Sequence, residues 1–490
     1  MHAKQKHVAL AVALTISGLA AATATMVACK RNGDGDPHAA AVDAAAPGAP
    51  TGAANLAPAS PASNAAPTYW NRVAGILQTH CTKCHARGGI GPMPLTSYLD
   101  AKDSAARIVA ETRAKRMPPW LPDASRCAKL EHSRAMPEAD IDALARWQAS
   151  GAPEGDANDH RPVPIANSFG EVKGAPDLVA APETAYMPKR GRADDYHCFV
   201  LDPKLTKNER VTALRIAPGA GAIVHHVLLY EVRKSAADKV DEMDAKEAGP
   251  GYTCFGGIGV TPTVRAGKPG SGSLVDFDAQ MIVAWAPGAG ATDVAGAPTA
   301  LPGGTAIHLA AGSRLVMQVH YSLENYQPAM TDKTRIELWL AKNDEPRRQA
   351  VWVPLLQWNF RVPPGVGSDD PRATARGELG MPLPLTVLGV APHMHLRGRS
   401  AKIEAIEEAD DGKRESSCLL DVPRWDFHHQ EAYWLKEGVR LKRAALTCKW
   451  DNRDEAQPIV SGTKRRPTKE LHWGEGTDDE MCLAFLYTTL

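Results

Sequence analysis

From about residue 160 to the C-terminus, glycine and proline divide the chain into short apolar runs rich in β-branched residues. The 490 residues include 41 Gly and 38 Pro, which favour loops and short strands over helical bundles. A polar stretch at 235–247 is the exception, with a helical period. About 330 residues are ample for two all-β sandwich domains, the fold class that this pattern predicts. The clearest strand-like runs are 211–216, 223–232, 315–321, 335–340, 386–390, 401–405 and 481–487.

Residues 1–29 have the composition of a targeting segment. Lys4 and Lys6 precede an apolar run at 8–22, which is shorter than the ~20 residues of a membrane span. Met-Val-Ala precedes Cys29, and this resembles the cleavage site of a bacterial lipoprotein. We therefore expect export to the periplasm or cell envelope, with membrane attachment only through a lipid on Cys29. The alternative is an ordinary secretory signal whose removal takes Cys29 with it. An Ala/Pro-rich tether follows at 30–67.

The run Cys81-Thr82-Lys83-Cys84-His85 has the pattern of covalent haem c attachment, in which two thiols bond the haem and the histidine binds its iron. A thioredoxin-type pair or half of a zinc site are the alternatives. The histidine directly after the second cysteine disfavours the thioredoxin-type pair, and the lack of a second C-x-x-C disfavours the zinc site. Amphipathic helices are predicted at 69–79 and 139–148. Residues 68–157 thus resemble a small all-α class I cytochrome c domain.

The sixth ligand of the haem iron must come from another part of this domain. Met117 lies between Arg116 and two prolines that stiffen its loop, so its thioether can be held at little entropic cost. A thioether ligand also raises the haem potential. Met117 is therefore the predicted ligand. The other candidates are Met93, Met136, His80 and His132.

His393 and His395 follow a strand-like run at 385–390. Residues i and i+2 of a strand project from the same face, so both imidazoles can reach one metal ion while Met394 points away into the core.

Neighbouring residues such as His225 and His226 point to opposite faces of a strand. Both could bind one ion only at a strand end, a bulge or a twist. Taken alone, the pair fits one surface and one buried histidine, and His320 in its apolar run fits an ordinary core residue.

Together these five imidazoles and the Met481 thioether form a soft, nitrogen-rich ligand set that suits copper. The motifs His-His at 225–226, Gln-Val-His-Tyr at 318–321, His-Met-His at 393–395 and Asp-Glu-Met-Cys at 479–482 occur in the order found in one family. Over about residues 165–490 the chain resembles the type II copper, ascorbate-dependent monooxygenases, such as dopamine β-hydroxylase and peptidylglycine α-hydroxylating monooxygenase.

The resemblance implies two jelly-roll-like domains, at 160–342 and 343–490, each holding one copper ion. His225, His226 and His320 would bind the electron-transfer copper. His393, His395 and Met481 would bind the oxygen-activating copper, where a thioether favours Cu(I). A disulfide between Cys448 and Cys482 is also implied. Cys198 and Cys254 lie on either side of the His-His strand and are expected to pair, whereas Cys127 and Cys418 lie in different predicted domains and remain unassigned.

The predicted function is a copper monooxygenase that hydroxylates a C–H bond of a small organic substrate with O2. Electrons from an external one-electron donor would pass from the haem c to the three-histidine copper and then to the other copper. The alternative is a non-catalytic haem and copper protein that transfers electrons or binds copper. A haem-based sensor would need a signalling domain, and the sequence has no sign of one. The zero net charge, with no Lys/Arg run, argues against a nucleic-acid partner.

Three positions depart from the peptide-amidating member of the family. An arginine, an asparagine and a tyrosine that hold the substrate carboxylate there are replaced here by Ala391, Leu483 and Phe485. A glycine-extended peptide is therefore not expected as substrate, and a small apolar or aromatic molecule is.

Overall fold

The computed structural model describes residues 66–489 with gaps. The targeting segment with Cys29, the tether as far as residue 65, and the rival haem ligand His132 lie outside the described residues. The gaps are 83, 88–90, 92, 120–121, 124, 126, 132–134, 162, 164–168, 170–171, 190–193, 256, 261–263, 267–274, 286–297, 324–328, 343–346, 410, 428, 462–463, 475 and 477.

Helices are concentrated near the start of the described chain. A π-helical turn at Tyr69–Val73 leads into α1 (Ala74–His80), and a later helix, α4 (Glu138–Ala149), also lies where the sequence predicts a helix. The remaining helices are α2 (Tyr98–Asp103), α3 (Ala105–Arg113) and α5 (Lys234–Asp244), with short 3-10 turns at Ala157–Asp159, Pro371–Ala373 and Asp454–Ala456.

β-Structure dominates the rest, as the sequence predicts. The first eleven strands are β1 (Leu178–Ala180), β2 (Asp194–Leu201), β3 (Glu209–Ala217), β4 (Val224–Val232), β5 (Tyr252–Thr253), β6 (Val264–Ala266), β7 (Val275–Phe277), β8 (Ala279–Trp285), β9 (Thr299–Ala300), β10 (Thr305–Leu309) and β11 (Arg314–Ser322). The others are β12 (Arg335–Leu340), β13 (Arg348–Leu356), β14 (Arg361–Val362), β15 (Thr374–His393), β16 (Gly398–Glu408), β17 (Arg414–Val422), β18 (Tyr433–Trp450), β19 (Ile459–Ser461), β20 (Lys464–Arg465), β21 (Leu471–His472) and β22 (Leu483–Thr489).

Eleven of the described strands form one large sheet, in the order β1-β12-β3-β10-β13-β22-β15-β18-β16-β17, with β9 also paired to β3. The parallel pairing of Thr305 with Arg348 joins β10 to β13. These two strands lie on opposite sides of the predicted domain boundary at 342/343. The large sheet is therefore continuous across that boundary.

A smaller sheet, in the order β5-β2-β11-β4-β8, packs against the first part of the large sheet. Leu214 and Leu338 of the large sheet share a buried apolar core with Leu229 and Met317 of the small one. Each such side chain contributes roughly 1.5–3 kcal/mol when it is fully buried. This packing forms a β-sandwich and leaves the other face of β4 available to the functional site.

Three disulfides join described cysteines. The expected pairs Cys198–Cys254 and Cys448–Cys482 are confirmed. Cys127 pairs with Cys418, which ties the segment between α3 and α4 to β17.

Backbone hydrogen bonds hold the same segment, residues 123–131, along β17 and β18. Asp123 N donates to Asp421 O at 2.8 Å, and Glu131 N donates to Trp434 O at 2.8 Å. We call residues 123–131 the strap. It fixes the helical part of the chain to the two strands that flank the loop 423–432.

Candidate functional site: two histidine groups on one cavity

The first histidine group is built by a β-bulge. His320 on β11 pairs with His226 on β4, but the next pair is Tyr321 with Val224, so the register steps past His225. Such an extra residue bends its strand and re-aims its side chain. Consequently, His225 and His226 face the same cavity. The bulge is one of the arrangements that the sequence allowed for this pair.

The Nδ1 atoms of the three histidines converge. His226 Nδ1 lies 3.4 Å from His225 Nδ1 and 3.3 Å from His320 Nδ1. Imidazole nitrogens that each lie about 2.0 Å from one metal ion are separated by about 3.3 Å at tetrahedral angles. Their ligand atoms all lie within 4.8 Å of one another, so the group could hold a metal ion.

Neighbouring residues of β2 orient His320. Its Nε2 donates to Asp194 Oδ1 at 2.8 Å, which leaves Nδ1 with a lone pair toward the other two rings. Tyr196 stacks on the His320 ring, with centroids 4.2 Å apart. A carboxylate behind a ligating histidine fixes the tautomer and raises its basicity. Sequence reasoning missed Asp194, because its partner His320 lies 126 residues away on another strand.

Burial keeps His226 in its metal-binding form. Burial lowers the pKa of His226 well below its ordinary value, and the imidazoles of His320 and His225 lower that pKa further. More distant contributions to the lowered pKa come from His393 and His395. A neutral imidazole is the form that binds metal. The other four histidines of the two groups thus all lower the pKa of His226.

His393 and His395 line the same cavity from the end of β15. Their ring centroids are 5.1 Å apart. His393 Nδ1 donates to Gln430 Oε1 at 2.5 Å, and His395 Nδ1 donates to Asp479 O at 3.0 Å. Both rings therefore keep Nε2 for a metal ion. Met394 between them is fully buried in the apolar core, as the alternation of a strand predicts.

Met481 lines the cavity beside these two histidines and is 6% exposed. The preceding residue, Glu480, accepts hydrogen bonds from His395 N at 3.0 Å, Arg397 N at 2.7 Å and Trp450 Nε1 at 2.9 Å. Burial raises the pKa of Glu480 to about 7, although these donors favour its charged form. Together with the disulfide at Cys482, Glu480 fixes the methionine segment to the turn that carries His395.

The loop 423–432 lies against both histidine groups. Phe427 stacks on His225 with centroids 5.2 Å apart, and its ring is edge-on to His395 at 5.9 Å. Gln430 Nε2 donates to Phe427 O at 2.8 Å while Gln430 Oε1 holds His393. Nearby, His429 is buried and lies 3.9 Å from Glu431. Sequence reasoning did not identify Phe427 or Gln430, because both act across long sequence separations.

The Cys81-x-x-Cys84-His85 motif begins directly after α1. His85 N donates to Cys81 O at 3.0 Å, so the motif is compact, and both cysteine side chains are half-buried. Burial raises the pKa of the Cys81 thiol to about 12, with a further contribution from Cys84. His85 is buried, and its Nδ1 donates to Met93 O at 2.9 Å. Met117, the predicted sixth ligand, is 39% exposed after α3.

In the part of the chain that the structure describes, no helix is both long and apolar enough to cross a membrane.

No family model and no curated protein matches the chain. A solved allantoicase is 9% identical, with 56% of this chain and 81% of that chain covered and a TM-score of 0.16. PNGF-II is 8% identical, with 67% and 65% covered and a TM-score of 0.21. T=1 particles derived from infectious bursal virus give 9% identity, 66% and 77% coverage, and a TM-score of 0.15. At such TM-scores these similarities carry no argument about fold or function.

Proposed function

We propose that the protein is a copper-dependent monooxygenase that hydroxylates a C–H bond of a small organic substrate. The observation that carries the proposal is a single cavity of about 280 Å³ that has His225 and His226 on one wall and His393, His395 and Met481 on the other. A substrate between these walls would be within reach of both groups. One oxygen atom of O2 would enter the C–H bond, and the other would leave as water, which consumes two electrons and two protons.

The donor chemistry of the two groups fits copper. His225, His226 and His320 offer three converging Nδ1 atoms, while His393 and His395 offer Nε2 beside the thioether of Met481. Imidazole and thioether donors without a carboxylate suit copper better than magnesium or calcium. Bound copper would supply one-electron redox chemistry and O2 activation. The protein's own contribution is to keep the buried imidazoles of His226, His393 and His395 neutral and to enclose the substrate with apolar side chains. Hydrogen bonds also fix the orientation of the His320, His393 and His395 rings.

The helical part of the chain is proposed to hold a covalent haem c through Cys81, Cys84 and His85. The His85 Nδ1 bond to Met93 O leaves Nε2 for iron. That contact holds the Met93 backbone beside His85, and Met136 is buried in the helical core. Met117 is therefore the proposed sixth ligand. The haem would accept electrons from an external one-electron donor and feed the three-histidine copper.

Export to an oxidising compartment is part of the proposal. Three disulfides among the described cysteines are typical of exported proteins. Haem attachment in the same compartment, and an anchor at Cys29, would follow from the targeting segment.

The test is metal and haem stoichiometry, followed by O2 uptake with product analysis on the copper-loaded, reduced protein. We expect two copper ions, one haem and hydroxylated product in proportion to O2. Met481→Ala should abolish coupled product, whereas Met187→Ala, at a position 49% exposed, should not. Slow O2 consumption without product in the unaltered protein would favour the non-catalytic electron-transfer protein instead.

A further inference from the structure

The cavity between the two histidine groups has an apolar wall built from three neighbouring strands. On β22, Leu483 and Phe485 face the cavity, while Ala484 and Leu486 between and beyond them are fully buried in the core behind the sheet. Phe485 pairs with Pro354 of β13 on one side and with Ala391 of β15 on the other. The alternation of three paired strands thus produces one continuous apolar surface.

The metal-binding end of the cavity adjoins this surface. Leu483 pairs with His393, two residues along the same ladder from the pair of Phe485 and Ala391. A molecule lying on Phe485 and Leu483 therefore extends toward His393 and Met481. The opposite wall comes from the small sheet, where Leu228 follows His226 on the same face of β4 and pairs with Ala284 of β8.

The protein's own side chains around the cavity do not provide a binding partner for an anion. Among the described residues that line it, none is Lys or Arg. A ligand carboxylate or phosphate on the apolar wall would thus lose its hydration without gaining a Lys or Arg partner. Glu431 belongs to the loop 423–432 and not to the three strands of the apolar wall, and His429 Nε2 is its neighbour at 3.9 Å. An ammonium group on that wall would therefore also lose its hydration without gaining an anionic partner there.

The amide side chains that line the cavity already have partners. Gln430 uses its oxygen for His393 and its nitrogen for Phe427 O. The nitrogen of Gln318 donates to Cys254 O at 3.2 Å. Breaking such bonds to bind a polar ligand group leaves a buried group unsatisfied. Aromatic rings complete the lining, among them Trp285, Trp352 and Phe427.

We propose that the substrate is a neutral alkyl-aromatic molecule of one or two rings. Its ring lies on Phe485 and Leu483, and its alkyl C–H bonds point toward His393 and Met481. Phe485, Leu483 and Ala391 are the residues that determine this specificity. The proposal rests on the proposed monooxygenase function for the fate of the C–H bond, but not for the binding itself.

Binding is tested under argon, so that no turnover occurs, on the full chain with its haem and copper. Three ligands of one carbon skeleton are compared by calorimetry: ethylbenzene, phenylacetate and 2-phenylethylammonium. We expect ethylbenzene to bind at least ten-fold more tightly than either charged analogue. Equal or tighter binding of phenylacetate or 2-phenylethylammonium would overturn the proposal.

A charge introduced on the apolar wall gives the second test. Phe485→Arg should weaken ethylbenzene binding and improve phenylacetate binding, each at least ten-fold. The half-buried position leaves room for the longer side chain. Leu383→Arg, on the 52% exposed part of β15, is the matched control and should change neither affinity. If Phe485→Arg does not fold, Ala391→Leu reduces the cavity volume and should weaken ethylbenzene binding about ten-fold. Unchanged ethylbenzene affinity in the folded variants would place binding elsewhere and refute the assignment.

Admission of O2 and an electron donor to the same samples separates the two proposals. Tight ethylbenzene binding without hydroxylated product would refute the monooxygenase and leave the binding specificity standing. Coupled oxidation of a charged substrate in preference to ethylbenzene would refute the binding specificity and leave the monooxygenase standing.

Discussion

The ring of Phe427 stacks on the ring of His225, with centroids 5.2 Å apart and planes inclined by 21°. The two residues come from different parts of the fold, since His225 is the bulged residue of β4 and Phe427 lies in the loop between β17 and β18. The same phenyl ring is edge-on to His395. Phe427 therefore contacts one residue of each histidine group.

Removal of that ring should cost stability even without metal. Aromatic pairs contribute about 0.5–1.5 kcal/mol beyond the area they bury. We expect Phe427→Ala to lower the free energy of unfolding of the metal-free protein by at least about 1 kcal/mol, and Phe427→Leu to lower it less. Urea denaturation measures both. Identical losses in the two variants would mean that stacking on His225 contributes nothing.

Gln430 and Asp194 should each support a different metal site. Loss of a hydrogen-bond partner behind a ligating histidine typically lowers metal affinity 10–100-fold. Gln430→Ala should weaken Cu(I) binding at His393 and His395 only, and Asp194→Ala should weaken it at the three-histidine group only. Competition with a Cu(I) chelator resolves the two sites. Equal effects of both variants on both sites would contradict the assignment of Gln430 to one metal site and Asp194 to the other.

The disulfide that fixes the strap should contribute strongly to stability. Removal of a native disulfide typically costs about 2–5 kcal/mol. We expect the double variant Cys127→Ser, Cys418→Ser to lose that amount. Hydrogen exchange should also accelerate at the strap amides of Ala128 and Glu131, which donate to β17 and β18. The double serine variant of Cys198 and Cys254 is the control and should leave exchange in the strap unchanged.

Stability should fall in mild acid partly because of His197. Burial lowers the pKa of this histidine, which stacks on Tyr186 and donates Nε2–H to Pro250 O at 2.8 Å. As pH falls below about 6.5, the unfolded chain takes up a proton that the folded chain resists, so stability present above that pH is lost progressively.

His197→Gln should therefore flatten the dependence of unfolding free energy on pH between about 8 and 5. Urea midpoints across this range measure the slope. His472→Gln, at an exposed histidine, should leave the slope unchanged. An equally steep slope after His197→Gln would assign the acid sensitivity to other groups.

Sequence periodicity predicted much of this architecture because periodicity is local. The run 211–216 lies within β3, and the i, i+2 spacing of His393 and His395 placed both rings on one cavity. The bulge at His225 was only one of several possibilities, because it is set by the register of β4 against β11.

Partners from distant segments were not predictable in this way. Asp194 and Gln430 contact histidines 126 and 37 residues away, and Cys127 bonds a cysteine 291 residues away. No local pattern encodes such contacts. For the same reason, the single sheet that joins β10 to β13 could not be inferred from two separate sets of strand-like runs.

The strap has a consequence for how such a chain could arise or be engineered. Its backbone covers the carbonyl oxygens of Cys418 and Trp434, and Lys436 N donates to Lys129 O within it. A β-unit separated from the helical region would expose these strand groups, which invites pairing with another chain. The helical region is therefore not an interchangeable attachment. A shuffled or truncated gene product would need a substitute segment at this position to pair these strand groups.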